Sequence, residues 1–169
     1  MHKPSLCNTK NNKMITCIYH IADLDGLSSA AIVKQKYKDS DLDLNFIGWN
    51  YGDEVPYDEI EKSDMVILVD LSFEPEDMLK VKEMKGDNFF WIDHHVSAIN
   101  NSKEHKYDDL QGIRNDKYAA CELTWFFFMK TKIPSPIVYL GSYDTFRQNI
   151  FRRKIIESIV FSICSKRYS

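Results

Sequence analysis

The chain has 169 residues, of which 44% are hydrophobic and 28% are charged, a balance typical of a single soluble domain. Its net charge of −3 argues against a general affinity for nucleic acids or anionic membranes. No apolar run approaches the roughly 20 residues of a membrane-spanning helix, and residues 1–13 resemble a loose polar leader, not a signal peptide. The four cysteines contain no CxxC pair, which favours reduced thiols in a cytoplasmic protein over disulfides or structural zinc.

Up to residue 93 the sequence alternates between apolar strand-like runs and helical patterns. It predicts strands at 14–21, 42–49, 65–70 and 88–93, separated by helices at 27–37, 56–62 and 74–84. The strand runs are largely continuous in apolar residues, as a sheet covered on both sides requires. The order therefore predicts an α/β fold with a doubly wound, mainly parallel sheet and helices on both faces.

Beyond residue 96 the pattern changes. Residues 97–112 are polar and predict a loop, residues 117–130 predict a strong helix, and Pro134 and Pro136 begin another. Residues 150–169 predict an amphipathic tail helix with an apolar stripe. The stripe consists of Ile155, Ile156, Ile159, Val160 and Ile163.

Acidic and histidine side chains gather where the predicted strands end. His20, Asp23 and Asp25 lie at the end of the first strand, Asp70 ends the third, and Asp93, His94 and His95 end the fourth. The carboxyl ends of parallel strands lie along one edge of a sheet, where ligands bind. We therefore expect these three clusters to converge on one site.

Carboxylates and imidazoles without a thiolate suit Mn²⁺, Mg²⁺, Zn²⁺ or Fe²⁺ in a site that is not structural zinc. Two ions roughly 3.5–4 Å apart, sharing one carboxylate, would use all these ligands. Without cations, so many neighbouring acids would raise each other's pKa values. Two such ions would bind an anionic substrate, acidify a water and stabilise charge on a phosphorus centre.

Each cluster also has a simpler interpretation. Asp70 alone is equally well read as a helix N-cap, and Asp23 and Asp25 as turn formers before Gly26. A single histidine in apolar surroundings is usually structural. The joint pattern favours the metal site.

Four motifs, in order along residues 14–149, resemble the DHH phosphoesterase family. The run Asp93-His94-His95 resembles the defining motif, and His20-Ile-Ala-Asp23-Leu-Asp25-Gly26 resembles the first motif. Val69-Asp70 resembles the second motif, and Asp144 in GSYDTF the fourth. The family includes RecJ-type exonucleases, nanoRNases, pAp phosphatases and cyclic-dinucleotide phosphodiesterases, with manganese-dependent pyrophosphatases as distant members.

The resemblance implies a role for each of these residues. One ion would be held by His20, Asp23 and Asp70, and the other by Asp25, Asp70, His94 and Asp144, with Asp70 bridging. Asp93 would support the cluster, and His95 would contact the scissile phosphate. A water activated by the two metals would attack a phosphodiester or phosphomonoester of a nucleotide or short oligonucleotide. Mn²⁺ is the expected metal, with Mg²⁺ as the alternative.

Two shorter segments resemble the oligoribonuclease and pAp-phosphatase subgroup, and they contribute Arg114 and Arg147. A guanidinium matches phosphate oxygens in two-pronged fashion, so either arginine is a candidate substrate clamp or a plain surface residue. Glu122 either reaches the site or lies on the polar side of its helix.

Family hydrolases carry a second, C-terminal substrate domain, for which this sequence leaves no room after Asp144. We therefore expect a DHH-type domain at 14–149 and a tail, 150–169, that is either a linker to a missing domain or a homodimer contact. The alternatives to a working phosphoesterase are a non-catalytic metal- or nucleotide-binding remnant, a pyrophosphatase-like hydrolase, and a scaffold that binds a partner through its tail. The pyrophosphatase branch would have one more residue between His20 and Asp23.

Overall fold

A computed structural model describes residues 12–147, so the predicted tail helix and most of the predicted leader lie outside the described residues. The strands are β1 (Met14–His20), β2 (Asp43–Trp49), β3 (Met65–Val69), β4 (Phe89–Asp93) and β5 (Gln111–Arg114). The helices are α1 (Leu24–Tyr37), α2 (Tyr57–Lys62), α3 (Pro75–Lys85), α4 (Val96–Glu104), α5 (Ala120–Met129) and α6 (Ser135–Asp144). None of these helices is long and apolar enough to cross a membrane.

The five strands form one parallel sheet in the order β2-β1-β3-β4-β5. The register aligns Tyr19 with Val69 and Val69 with Ile92, so β1, β3 and β4 end side by side. The strand that follows β1 in sequence, β2, lies on one side of β1 within the sheet. The strands that follow β3, which are β4 and β5, lie in the opposite direction. The gap between the ends of β1 and β3 is thus a topological switch point, where open α/β sheets bind ligands.

Helices cover both faces of the sheet, as predicted. One core contains Ala30 and Val33 of α1 with Leu123 of α5, packed on β1, β3 and β4. The opposite core joins side chains of α2, α3 and α4 to the other side of the same strands. Because the central strands are buried on both faces, their sequences are continuously apolar. The doubly wound α/β fold is therefore confirmed.

The prediction that residues 97–112 form a loop is wrong. They contain most of α4 and the beginning of β5, which pairs with β4 at the edge of the sheet. Only Ala98 and Ser102 of α4 are buried, so most of that helix is exposed and polar. The short edge strand has no buried residue. Both elements therefore lack the apolar pattern by which the other elements were recognised.

Candidate functional site

The first part of the candidate site is the turn between β1 and α1. Asp23 caps α1, because its Oδ1 accepts the backbone N–H of Gly26 at 3.0 Å, while its Oδ2 lies 2.9 Å from His20 Nδ1. A Cβ on residue 26 would overlap the carbonyl of His20, so the tight approach requires glycine. Burial disfavours the charge on Asp23, but the N–H of Gly26 and the adjacent His20 lower its pKa below the ordinary value. Asp23 is both a helix cap and an ionised neighbour of His20.

Asp25 is held by a different helix from its own. Its carboxylate accepts the backbone N–H groups of Ala120 at 2.7 Å and Cys121 at 2.8 Å, at the N-terminus of α5. The side chain is nearly inaccessible, since only 2% of the residue is exposed. The two N–H donors at the start of α5 fix the position of the carboxylate. Asp25 therefore makes a long-range contact, and the interpretation of it as a local turn former is wrong.

Asp70 follows β3 and lies in the middle of the cluster. Its φ of 62° is in the left-handed region, which costs free energy in a residue other than glycine and is often found at functional sites. Oδ1 lies 3.3 Å from His94 Nε2, and Oδ2 lies 3.8 Å from His20 Nδ1. Helix α3 takes Glu74, not Asp70, as its N-cap, so the capping interpretation of Asp70 is wrong.

The surroundings of Asp70 disfavour its charge. Only 1% of the residue is exposed, and Oδ2 has no hydrogen-bond donor among residues 12–147. Burial, followed by the charges of Asp25 and Asp23, raises the pKa of Asp70 to about 10. A cation beside these oxygens would remove that penalty.

His94 points one ring nitrogen at three carboxylates. Its Nε2 lies 3.3 Å from Asp70, 3.4 Å from Asp144 and 3.7 Å from Asp25. Asp144 is the last residue of α6, and burial together with the charge of Asp25 raises its pKa. These separations exceed an ideal hydrogen bond, which is ~2.7–3.2 Å long. They are close to the spacing of about 3.0–3.4 Å expected between donors that surround one small cation at ~2.1 Å.

Asp93 organises the backbone of its own motif. It is fully buried, and its Oδ1 accepts the backbone N–H of His94 at 2.7 Å and lies 2.7 Å from His95 Nδ1. That hydrogen bond from the ring raises the pKa of His95. Asp93 therefore orients His95, whose side chain remains 36% exposed at the edge of the cluster.

The donor atoms of residues 12–147 form three overlapping groups, and the atoms of each group lie within 4.8 Å of one another. The His20 group is His20, Asp23 and Asp70, and the His94 group is Asp25, His94 and Asp144. Asp70 belongs to the first, and its Oδ1 also faces His94 of the second. A third combination joins Asp70 with His94 and His95. The donors are carboxylate oxygens and imidazole nitrogens, and the buried, unpartnered Oδ2 of Asp70 fits a site built for cations.

One neighbour of the cluster, Asn50, was not predicted from the sequence as a site residue. Asn50 directly follows β2, and its Oδ1 lies 3.2 Å from His20 Nε2 and accepts the backbone N–H of Tyr51. The ring of Tyr51 packs edge-on against His20, with the ring centroids 5.7 Å apart. Burial, followed by the charge of Asp93, raises the pKa of Tyr51 to about 12. The signal for Asn50 was its place at a strand end, the same signal that identified the acids.

Arg114 is occupied by contacts within the fold. Its guanidinium donates to the backbone carbonyls of Trp91, Gln111 and Asp108 at 2.8–3.2 Å. It also lies over the indole of Trp91, 5.3 Å from the ring centroid. These contacts favour a structural role for Arg114, and its predicted contact with phosphate remains a prediction.

Arg147 forms an ion pair with Glu122 through Nη2 and Oε2. Glu122 is buried, with 3% of the residue exposed, so the alternative that it lies on the polar side of α5 is wrong. Its Oε2 also accepts the backbone N–H of Ala119 at 3.1 Å. The predicted contact between Arg147 and substrate also remains a prediction.

No protein-family model matches the chain, and no curated protein sequence matches it either. A solved structure with a similar fold is the crystal structure of an uncharacterized protein from Helicobacter pylori G27, with a TM-score of 0.63 and 19% sequence identity. The match covers 80% of this chain and 44% of that protein, so this chain spans less than half of the neighbour's length. At this identity the likeness concerns the fold alone.

Proposed function

We propose that the chain is a divalent-metal-dependent phosphoesterase of the DHH type, acting on phosphodiester or phosphomonoester bonds of nucleotides or short oligonucleotides. The observation that carries the proposal is the position of Asp70, whose two carboxylate oxygens face His20 and His94 in two different donor groups. A carboxylate placed in this way suits a bridge between two cations. The order of the motifs along the sequence supports the same family.

The donor chemistry favours Mn²⁺ or Mg²⁺, because the groups consist of hard oxygen ligands with one or two imidazoles and no thiolate. When bound, two such ions would supply Lewis-acid charge to a phosphoryl group and lower the pKa of a water. The His20 group would hold one ion and the His94 group the other, with Asp70 between them.

The protein's own groups have distinct tasks in this proposal. The N-terminus of α5 fixes the position of the Asp25 carboxylate, 3.7 Å from His94 Nε2. Asp93 holds Nδ1 of His95, which leaves Nε2 of His95 as the nitrogen to meet a phosphate oxygen. The raised pKa of His95 favours the protonated ring, which would donate a hydrogen bond to that oxygen.

The direct test is Mn²⁺-dependent hydrolysis of a 5′-phosphorylated RNA dinucleotide by the chain, with His94→Ala and Asp93→Ala as paired variants. We expect activity in the wild type that depends on Mn²⁺ and disappears in both variants. Inorganic pyrophosphate as a second substrate distinguishes the pyrophosphatase alternative. Bound metal without hydrolysis of either substrate would contradict the catalytic proposal.

One observation favours the alternative of a binding module without turnover. The two arginines that the sequence offered as phosphate clamps are both held by protein groups, Arg114 by backbone carbonyls and Arg147 by Glu122. In that case the chain would bind Mn²⁺ and a nucleotide, and hydrolysis would be absent. Calorimetric titration with adenosine monophosphate in the presence of Mn²⁺, run beside the hydrolysis assay, separates the two functions.

A further inference from the structure

Two of the three donors of the His94 group depend on helices for their positions. Asp25 is bound by the first N–H groups of α5, and Asp144 is the last residue of α6. The spacing of these two carboxylates around His94 Nε2 is therefore set by how α5 and α6 pack on each other. Glu122 lies at this contact, in the first turn of α5.

Glu122 and Arg147 tie the two helix ends together. Glu122 accepts the N–H of Ala119, next to the two N–H groups that hold Asp25, and pairs with Arg147, three residues beyond Asp144. Arg147 is itself held in place, since its Nε donates to Thr145 Oγ1 at 2.6 Å. Its guanidinium also lies over the ring of Tyr118, 5.3 Å from the centroid.

Glu122 is closely packed against α6. A Cβ on residue 141 would overlap the carboxylate of Glu122, so Gly141 lets α6 pass directly over this side chain. A buried carboxylate is costly unless it is paired, and a shift of α6 away from α5 would separate Glu122 from Arg147. The ion pair therefore penalises any displacement of the end of α6, and with it any displacement of Asp144.

From these contacts we propose that Glu122 and Arg147 are positioning residues, which fix Asp144 relative to Asp25 and thereby set the affinity of the His94 group for its cation. The inference rests on the proposed metal centre. Neither residue ligates the ion in this arrangement, because Arg147 carries no lone pair to offer, and Glu122, whose Oε2 contacts Ala119 and Arg147, belongs to none of the donor groups among the described residues. The pair acts as outer support for the ligands, a class of contact whose loss typically costs about 10–100-fold in metal affinity.

The experiment measures Mn²⁺ binding to the chain after chelator treatment, with free Mn²⁺ followed by electron paramagnetic resonance and heat by calorimetry. The test variants are Arg147→Ala and Glu122→Gln, and Arg147→Lys is the conservative rescue. Asp144→Ala provides the reference for damage to the His94 group. Lys82→Ala is the matched control. Lys82 lies in the last turn of α3 and pairs with Asp109 at 2.5 Å. This pair lies near the amino ends of β4 and β5, whereas the donor groups lie at the carboxyl ends of the strands.

We expect the wild type and Lys82→Ala to bind two ions. In Arg147→Ala and Glu122→Gln, the ion lost in Asp144→Ala should bind about 10–100-fold more weakly, while the other ion keeps its affinity within roughly twofold. Arg147→Lys should give an intermediate value. Wild-type affinity for both ions in the two test variants, or equal weakening of both ions, would overturn the positioning role alone. No Mn²⁺ binding by the wild type would overturn the proposed function together with this inference.

Discussion

Asp70 gives the sharpest test of the electrostatics of the site, because its carboxylate is buried among other acids. In the metal-free protein the pKa of Asp70 is raised from 3.8 to about 10. A carboxyl group with a raised folded-state pKa binds a proton that the unfolded chain releases. Its contribution to stability is therefore complete below pH 4 and is lost as the pH rises towards 10. Replacing Asp70 by Asn removes the titratable group and keeps the shape, and Asn tolerates the left-handed φ of 62°.

The magnitude follows from the separation between the ordinary pKa of the carboxyl group and the assay pH, which lies below the folded-state pKa. About 3.7 pH units lie between the ordinary pKa of 3.8 and an assay pH of 7.5, and at about 1.36 kcal/mol per unit the ceiling is about 5 kcal/mol. Relaxation of the native protein and penetration of water around the carboxyl group reduce this ceiling. We therefore expect Asp70→Asn to stabilise the metal-free protein by about 1–3 kcal/mol at pH 7.5, or roughly 3–10 °C in melting temperature.

The assay is thermal and urea unfolding in a chelating buffer between pH 5 and 9, with Asp39→Asn as control. Asp39→Asn likewise removes one carboxyl group, but the Asp39 side chain is 89% exposed and lies 3.9 Å from Lys38, so no comparable gain is expected. The stability difference between Asp70→Asn and the wild type should grow as the pH rises. Mn²⁺ should reverse the order, because only the wild type retains both carboxylate oxygens for the ions.

Two results would refute this reasoning. Asp70→Asn could be less stable than the wild type in chelator at every pH, which would mean that Asp70 is not repelled by its neighbours. The gain could also be independent of pH, which would mean that it arises from backbone or packing effects and not from titration of Asp70.

Three further predictions concern single residues around the same edge of the sheet. His95→Ala should retain Mn²⁺ in calorimetry and lose hydrolysis, and loss of an ion would instead make His95 a ligand. Gly26→Ala should destabilise the protein by about 2–4 kcal/mol in urea unfolding, because the new Cβ overlaps the carbonyl of His20; unchanged stability would show that the turn relaxes freely. Arg114→Ala should lower the melting temperature while leaving the Mn²⁺ affinity within about twofold of the wild type, because its partners are the carbonyls around Trp91. Loss of Mn²⁺ binding in that variant would contradict the structural role.

Much of the fold could be predicted from the sequence, because the four strands at 14–21, 42–49, 65–70 and 88–93 carry local apolar patterns. A strand buried on both faces must be apolar throughout, so the pattern and the burial have the same cause. The helix α4 and the strand β5 escaped prediction for the opposite reason. They lie at the edge of the sheet, where solvent replaces a second packing layer and polar residues are tolerated.

The composition of the candidate site could also be predicted, since parallel strands place the residues that follow them along one edge. That rule brought together His20, Asp70 and His94 from three segments far apart in sequence. It did not identify what holds each side chain. The hydrogen bonds from α5 to Asp25 join residues 95 and 96 positions apart, and no local pattern encodes such a pair.

What the sequence determined by itself is therefore the kind of fold and the donor types of the site, because both follow from local patterns of burial and from strand direction. The tertiary structure decided the strand order, the left-handed backbone at Asp70 and the grouping of the donor atoms. It also decided that Glu122 is buried and forms an ion pair with Arg147, and that Arg114 donates hydrogen bonds to backbone carbonyls. These outcomes depend on how helices pack across the sheet, and that packing is a property of the assembled chain.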